Sequence, residues 1–360
     1  MKNNQFQKWI KVQTSYSFEE TNCSLRADAD FVDLQNDDPH IQEVPSPLVA
    51  AGFGLVSNFP LDYMHLVLLG VMRRLLTLWT KEFPIKLCRS AISRINEEME
   101  ASRKFIPSEF ARKPRSLDYA CKWKATELRL FLLYVGPIVL KGIIPRDYFH
   151  HFMLLSSAIR ILCSEDCLSD DNLFDYAKKL LRKFVETWQS TYPDTSIVYN
   201  VHSLIHLPDD VKRTGTLDSW SAFRYENYLG KLKRLIRSGN RPLVQVCRRI
   251  YEYLDSPRAS IQLEDVQRFR IYPCKNSDNC ALLNNGSYCL VNSIHNNQIS
   301  VQKFRKPFDL FTQPCESSIL KITCFKKLDD KVSTRCFSEI KTKCMVVKEF
   351  AYWVIIPYLH

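Results

Sequence analysis

ALLNNGSYCLVNSIHNNQISVQKF, residues 281–304, is where the chain changes character. Its short runs, Ala281–Leu283, Tyr288–Ile294 and Ile299–Phe304, are rich in Val, Ile, Tyr, Phe and Cys and are separated by Asn-Gly and Asn-Asn. Runs of that composition read as strands and those dipeptides as turns, and Asn285-Gly286 is a strong hairpin signal. The same texture continues through Leu320–Phe325, Lys343–Val347 and Trp353–Tyr358. Residues 266–360 are therefore expected to form a small β-rich, barrel-like domain.

Upstream, spacing of three and four replaces alternation. Phe59–Trp79 carries apolar residues nearly all round, with Ser57 and Asn58 as caps and Pro60 in the first turn, and predicts a buried helix. Ser90–Lys104 is a more polar helix, and Ala125–Leu140, Arg146–Leu162 and Asn172–Trp188 each show one apolar stripe. Val201–Leu207, Trp220–Ser238 and Leu243–Leu254 complete a helical domain over residues 59–265. Residues 1–58, acidic and without periodicity, read as a weakly ordered arm. The fold class is α+β.

Charge is unevenly spread. The chain has 360 residues and a formal net charge of +11, a balance that favours an acidic partner, nucleic acid being the commonest. Residues 1–44 hold eight acids, whereas Lys212–Tyr251 holds ten bases against Asp218 and Glu226. No apolar run reaches the roughly 18–20 residues of a membrane span, and no apolar signal core follows Met1, so an intracellular protein is expected. Thirteen cysteines, an odd number with no CxxC, point to reduced thiols.

Within the basic stretch, SAFRYENYLGKLKRLIRSGNRP (221–242) reads as an amphipathic helix. Tyr225, Tyr228, Leu229, Leu232, Leu235 and Ile236 would face a core, while Arg224, Lys231, Lys233, Arg234, Arg237 and Arg241 would contact a nucleic-acid backbone without reading sequence. Glu226 stands alone among them. It is either a surface acid in local pairs with Arg224 or Lys233, or a carboxylate that holds a divalent metal beside phosphodiester-binding bases. Asp62 and His65, three apart, are either a structural pair or the support of an active site. His202 and His206, four apart with Asp209 and Asp210 beyond, are core histidines or half of a metal site. Nucleotide-binding glycine loops and a GxSxG elbow are absent.

Three segments together, SNFPLDYMHLVLLGVMRRLLTLW (57–79), YACKWKATELRLFLLYVGPIVLK (119–141) and YNVHSLIHLPDDVKRTGTLDSWSAFRYENYLGKLKRLIRSGNRPLVQV (199–246), resemble the C-terminal half of CACTA (En/Spm-like) DNA transposases. The resemblance covers roughly residues 22–253. It implies a DDE transposase of RNase H-like core, in which metal ions held by Asp, Asp and Glu cut and join DNA. A D-x-x-H element matches Asp62 and His65, and a helical insertion then precedes the last core helix, placing the metal-binding Glu at Glu226. Trp123 matches an aromatic of the insertion that lies near the DNA end. The 61 residues before Asp62 contain Asp28, Asp30, Asp33, Asp37 and Asp38 but no apolar strand to hold them. The expectation is a transposon-derived, nuclear or nucleocytoplasmic DNA binder lacking two of three catalytic acids. It has no cofactor of its own, Mg2+ or Mn2+ belonging to a core completed elsewhere, and no membrane partner; homo-oligomers stay open. The alternative is a non-catalytic protein-interaction scaffold.

Overall fold

The computed structural model describes residues 18, 21–22, 25–32, 46–193, 195, 197–254 and 270–359. Two compact units emerge, one of residues 1–98 and 115–220, the other of residues 99–114 and 221–360. Asp33, Asp37 and Asp38, noted in the sequence, lie outside the described residues.

The first unit is helical. Its central helix, α1, winds as a π-helix over Met64–Met72 and continues as an α-helix over Arg73–Lys81. The expected caps, Ser57 and Asn58, lie before it, and Asn58 instead accepts the Gly54 N–H. Asp62 takes the capping role: its carboxylate accepts the His65 N–H at 2.9 Å, satisfying one of the donors that a helix start leaves unpaired. Buried Met64, Leu68, Met72, Leu76 and Trp79 make α1 a core helix, as its apolar composition requires.

Helix α2 (Arg89–Ser102) is followed by α3, built from Ala125–Leu130, a π-turn at Phe131–Val135, and Gly136–Val139. Helices α4 (Arg146–Leu162) and α5 (Asp171–Glu186) come next. Trp123 is wholly buried, edge-to-face with Phe131 at 5.5 Å. Helices α6 (Tyr199–His202) and α7 (Leu207–Thr214) close the unit. The arm is better organised than its composition suggests at one point. Asp28 accepts N–H groups of Val56 and Ser57 at 2.7 and 3.0 Å, and these bonds, led by that to Ser57, hold its carboxyl below the usual range.

The second unit joins two helices, α8 (Phe223–Leu235) and α9 (Pro242–Leu254), to a six-stranded antiparallel sheet. The strands are β1 (Cys280–Leu283), β2 (Tyr288–His295), β3 (Gln298–Asp309), β4 (Thr323–Cys336), β5 (Ile340–Lys348) and β6 (Trp353–Pro357). The order β1-β2-β3-β4-β6-β5 closes on itself, because β1 pairs with both β2 and β5. Closure pairs the strands around the ring and reduces the unpaired edges that invite aggregation, although β6 reaches only Thr323–Phe325 of the longer β4. Gly286 turns the first hairpin at φ +79°, a conformation that a side chain disfavours. Residues of β1 alternate between two apolar clusters, Ala281 and Leu283 in one, Cys280 and Leu282 in the other, so the strand is buried on both faces.

Lys343 on β5 has no exposure at all. Its ammonium donates to both Glu109 oxygens at 2.8 Å, to the Arg270 carbonyl at 2.7 Å and to the Asp278 carboxylate. Asp278 also accepts the N–H and hydroxyl of Ser108, and Tyr358 donates to Glu109 at 3.0 Å. Burial opposes ionisation of both carboxylates, yet the Lys343 hydrogen bonds and the backbone donors outweigh it and leave both below the usual range. A buried charge persists only when so compensated. The result ties residues 108–109 to the closed sheet.

Candidate nucleic-acid interface

Helix α8 forms where the sequence places it, but its environment differs from the expectation. No residue of α8 is buried. Tyr225, Tyr228, Leu229 and Ile236, expected to face a core, are exposed, and Leu232 and Leu235 are only half-buried. Helical spacing reports a face that wants cover; it does not name the element that covers it. On α9, Leu243, Tyr251 and Leu254 are exposed as well.

The basic residues stand where a polyanion could reach them. Arg224, Lys231, Lys233, Arg234, Arg237 and Arg241 are all exposed, as is Arg248. Residues 221–254 hold eight Lys and Arg against two acids, Glu226 and Glu252. Glu252 is engaged by Arg249 at 2.7 Å, and Glu226 is exposed on the first turn and a half of α8. The stripe therefore keeps a positive excess on a regular scaffold, the arrangement from which counterion release draws affinity.

Gln245 organises the turn between the helices. Its side-chain oxygen accepts the N–H groups of Arg237 and Ser238 at 2.9 and 3.4 Å, and its amide donates to the carbonyls of Ser238 and Asn240 at 3.1 and 2.6 Å. Arg241 adopts φ +47°, a left-handed conformation costly for a residue with a side chain, next to this staple. Arg237 and Arg241 are thereby presented on an ordered turn. Sequence reasoning missed Gln245, because a lone glutamine in a helix carries no local signal of the loop it will bind.

His65 Nδ1 lies 2.5 Å from the Asp62 carboxylate, so the two do form the expected pair, on the first unit, in the service of the helix start. Glu226 belongs to the second unit. Trp123, assigned to DNA by resemblance, is withdrawn from any surface by its complete burial. His202 and His206 do face one another, Nε2 to Nε2 at 3.4 Å, while His202 Nδ1 reaches the Phe18 carbonyl at 3.2 Å. With Nδ1 donating to that carbonyl, the neutral His202 ring presents Nε2 as an acceptor to His206. Burial, followed by the neighbouring His202, lowers the His206 pKa. The acids beyond are spoken for: Asp209 pairs with Lys178 at 3.0 Å, and Asp210 pairs with Arg213 and accepts the Leu61 N–H at 2.8 Å.

Among the described residues no three His, Cys, Asp or Glu side chains come together as metal ligands. Glu226 stands on an exposed helix face, and among the described residues no two further carboxylates gather beside it, so the described residues alone do not make a site for a pair of divalent cations, which need ligands fixed closely in space. No disulfide joins the described cysteines, and no described helix is long and apolar enough to cross a membrane.

A family profile described as a domain of unknown function (DUF8592) matches residues 246–358, which take in most of α9 and the closed sheet. No curated protein and no solved structure matches the chain.

Proposed function

We propose that this chain binds the sugar-phosphate backbone of DNA through the α8–α9 hairpin, without metal-dependent strand transfer of its own. The observation that carries the reading is the exposure of Arg224, Lys231, Lys233, Arg234, Arg237 and Arg241 together on one ordered hairpin. Such contacts position a duplex and do not read its bases. The resemblance to CACTA transposases supports the same partner and adds a nuclear setting. It also implies a core sheet packed against the last helix, and the open face of Tyr225, Tyr228 and Leu229 is suited to that cover. The test is fluorescence anisotropy with a labelled duplex across a salt series. Affinity should fall steeply between 50 and 200 mM salt, by roughly 10³-fold or more if about six phosphates are contacted; affinity that is absent or indifferent to salt rejects the reading.

A second reading has one observation in its favour. Leu229, Leu243, Val244 and Leu254 are exposed apolar residues on the same hairpin, and contiguous exposed apolar surface marks protein docking sites. A scaffold of this kind would keep its partner when Lys233, Arg234 and Arg237 are neutralised, whereas a DNA complex would lose most of its affinity.

A further inference from the structure

The turn between α8 and α9 carries a hydroxyl that none of the preceding roles uses. Residues 221–254 contain two serines and no threonine. Ser221 is buried, whereas Ser238 is exposed, as are Arg237, Gly239, Asn240 and Arg241 around it. A Cβ built on Gly239 would meet nothing within 4 Å, so the chain beside Ser238 stands clear of the other described residues. An enzyme can reach a hydroxyl placed on such a turn.

The surroundings favour one modification. Lys231, Lys233, Arg234 and Arg237 precede Ser238, Arg241 follows three residues later, and no Asp or Glu occurs between Glu226 and Glu252. A phosphate brings about −1.5 to −2 charge at pH 7 and three acceptor oxygens, which guanidinium forks match. The turn is also braced from the other side. Gln245 Nε2 donates to Ser238 Oγ at 3.1 Å, as well as to the Ser238 and Asn240 carbonyls. An ester oxygen at Ser238 keeps that acceptor role, so the group enters without dismantling the turn.

We infer that Ser238 is a phosphorylation site, whose phosphate is captured by Arg237 and Arg241 and withdraws them from a polyanion. The step is transfer from ATP by a serine kinase that selects basic flanks. Ser238 Oγ attacks the γ-phosphorus, the bond to the β–γ bridging oxygen breaks, ADP leaves with the electron pair, and the hydroxyl proton passes to the base of the kinase. Residues 221–254 hold eight bases against two acids, and the phosphate lowers that excess by about two. The regulatory half of the inference rests on the proposed DNA-binding role of the hairpin; the capture of the phosphate does not.

The experiment begins with the full chain, ATP, Mg2+ and a set of serine kinases of basic specificity, the site being read by mass spectrometry. Phosphate is expected at Ser238, and a chain left unmodified there by every kinase overturns the assignment. Capture is read by phosphorus NMR across pH on the full chain with phosphoserine genetically encoded at residue 238. Paired guanidiniums favour the dianion, so the second phosphate pKa should lie lower in the folded chain than in the same chain unfolded in urea; equal values overturn capture. Duplex binding is then compared by anisotropy. The phosphorylated chain should bind about tenfold or more weakly, with a salt slope lower by about 1.8, the share of two phosphate contacts. Ser238→Asp should bind more weakly than Ser238→Asn, which matches it in shape without the charge, and this separates charge from a lost hydroxyl. Duplex affinity that is equal with and without the phosphate overturns the regulatory half. An unmodified chain that fails to bind duplex rejects the reading of the hairpin and the regulation with it, while the kinase and NMR results still decide the site.

Discussion

In the closed sheet one lysine, Lys343, is sunk to zero exposure and held by Glu109, Asp278 and a backbone carbonyl, whereas in the α8–α9 hairpin of the same unit eight Lys and Arg stand against two acids. The difference is set by solvent. A charge removed from water must find its counter-charge within the protein, so the Lys343 network is complete and inward-looking. Charges left in water need none, and their excess stays available to a partner. Buried charge here speaks of folding; exposed charge speaks of binding.

The largest effect is expected from breaking the buried side of that contrast. Lys343→Met should destabilise the second unit by about 3–5 kcal/mol, because Glu109 and Asp278 are then left without their cation; urea denaturation monitored by fluorescence measures it. Adding Glu109→Gln and Asp278→Asn should recover much of the loss, since the trio is then neutral throughout.

Acid probes the same network. The folded-state pKa values of Glu109 and Asp278 lie below their unfolded values, so the unfolded chain binds more protons as pH falls. Their stabilisation is full above the unfolded values of about 4 and is lost as pH drops through the lower, folded ones. A denaturation series from pH 6 to pH 2 should show that decline in the native protein and a shallower one in the triple variant.

Changes on the exposed side should read out in binding and not in folding. Replacing Lys233, Arg234 and Arg237 with Gln should lower the salt slope of duplex binding by about 2.7 and weaken binding at low salt by about tenfold or more. The urea midpoint should move by no more than about 0.5 kcal/mol equivalent. Gln245→Ala lies between the two regimes: it should speed hydrogen exchange at Arg237 and Ser238, cost about 1 kcal/mol locally, and reduce binding several-fold by loosening the turn. Glu226→Gln is the smallest. It should change stability by less than about 0.5 kcal/mol and leave DNA affinity equal or slightly higher; a loss of affinity would show that this carboxylate acts with a cation in the complex.

Most elements were legible because their signals are local. The Arg146–Leu162 helix follows a stripe at three and four spacing, and the β1–β2 hairpin follows Asn285-Gly286. Less was legible at the start of α1, where Ser57 and Asn58 offer capping side chains but Asp62 provides the cap. Lys343 carried no warning, since its partner Glu109 lies 234 residues earlier and no spacing rule spans that interval. The exposed face of α8 misled for the opposite reason. Tyr225, Tyr228 and Leu229 have the periodicity of core residues, and periodicity measures amphipathicity, not burial.

By itself, then, the sequence determined the order and type of the elements, the concentration of positive charge on residues 212–251 and the pairing of Asp62 with His65, all properties of neighbours along the chain. Only the tertiary structure decided that Trp123 is core, that the α8 face is open and that Gln245 binds its turn. Those outcomes depend on which distant segments meet, and burial and partnership are set by that meeting, not by any residue alone.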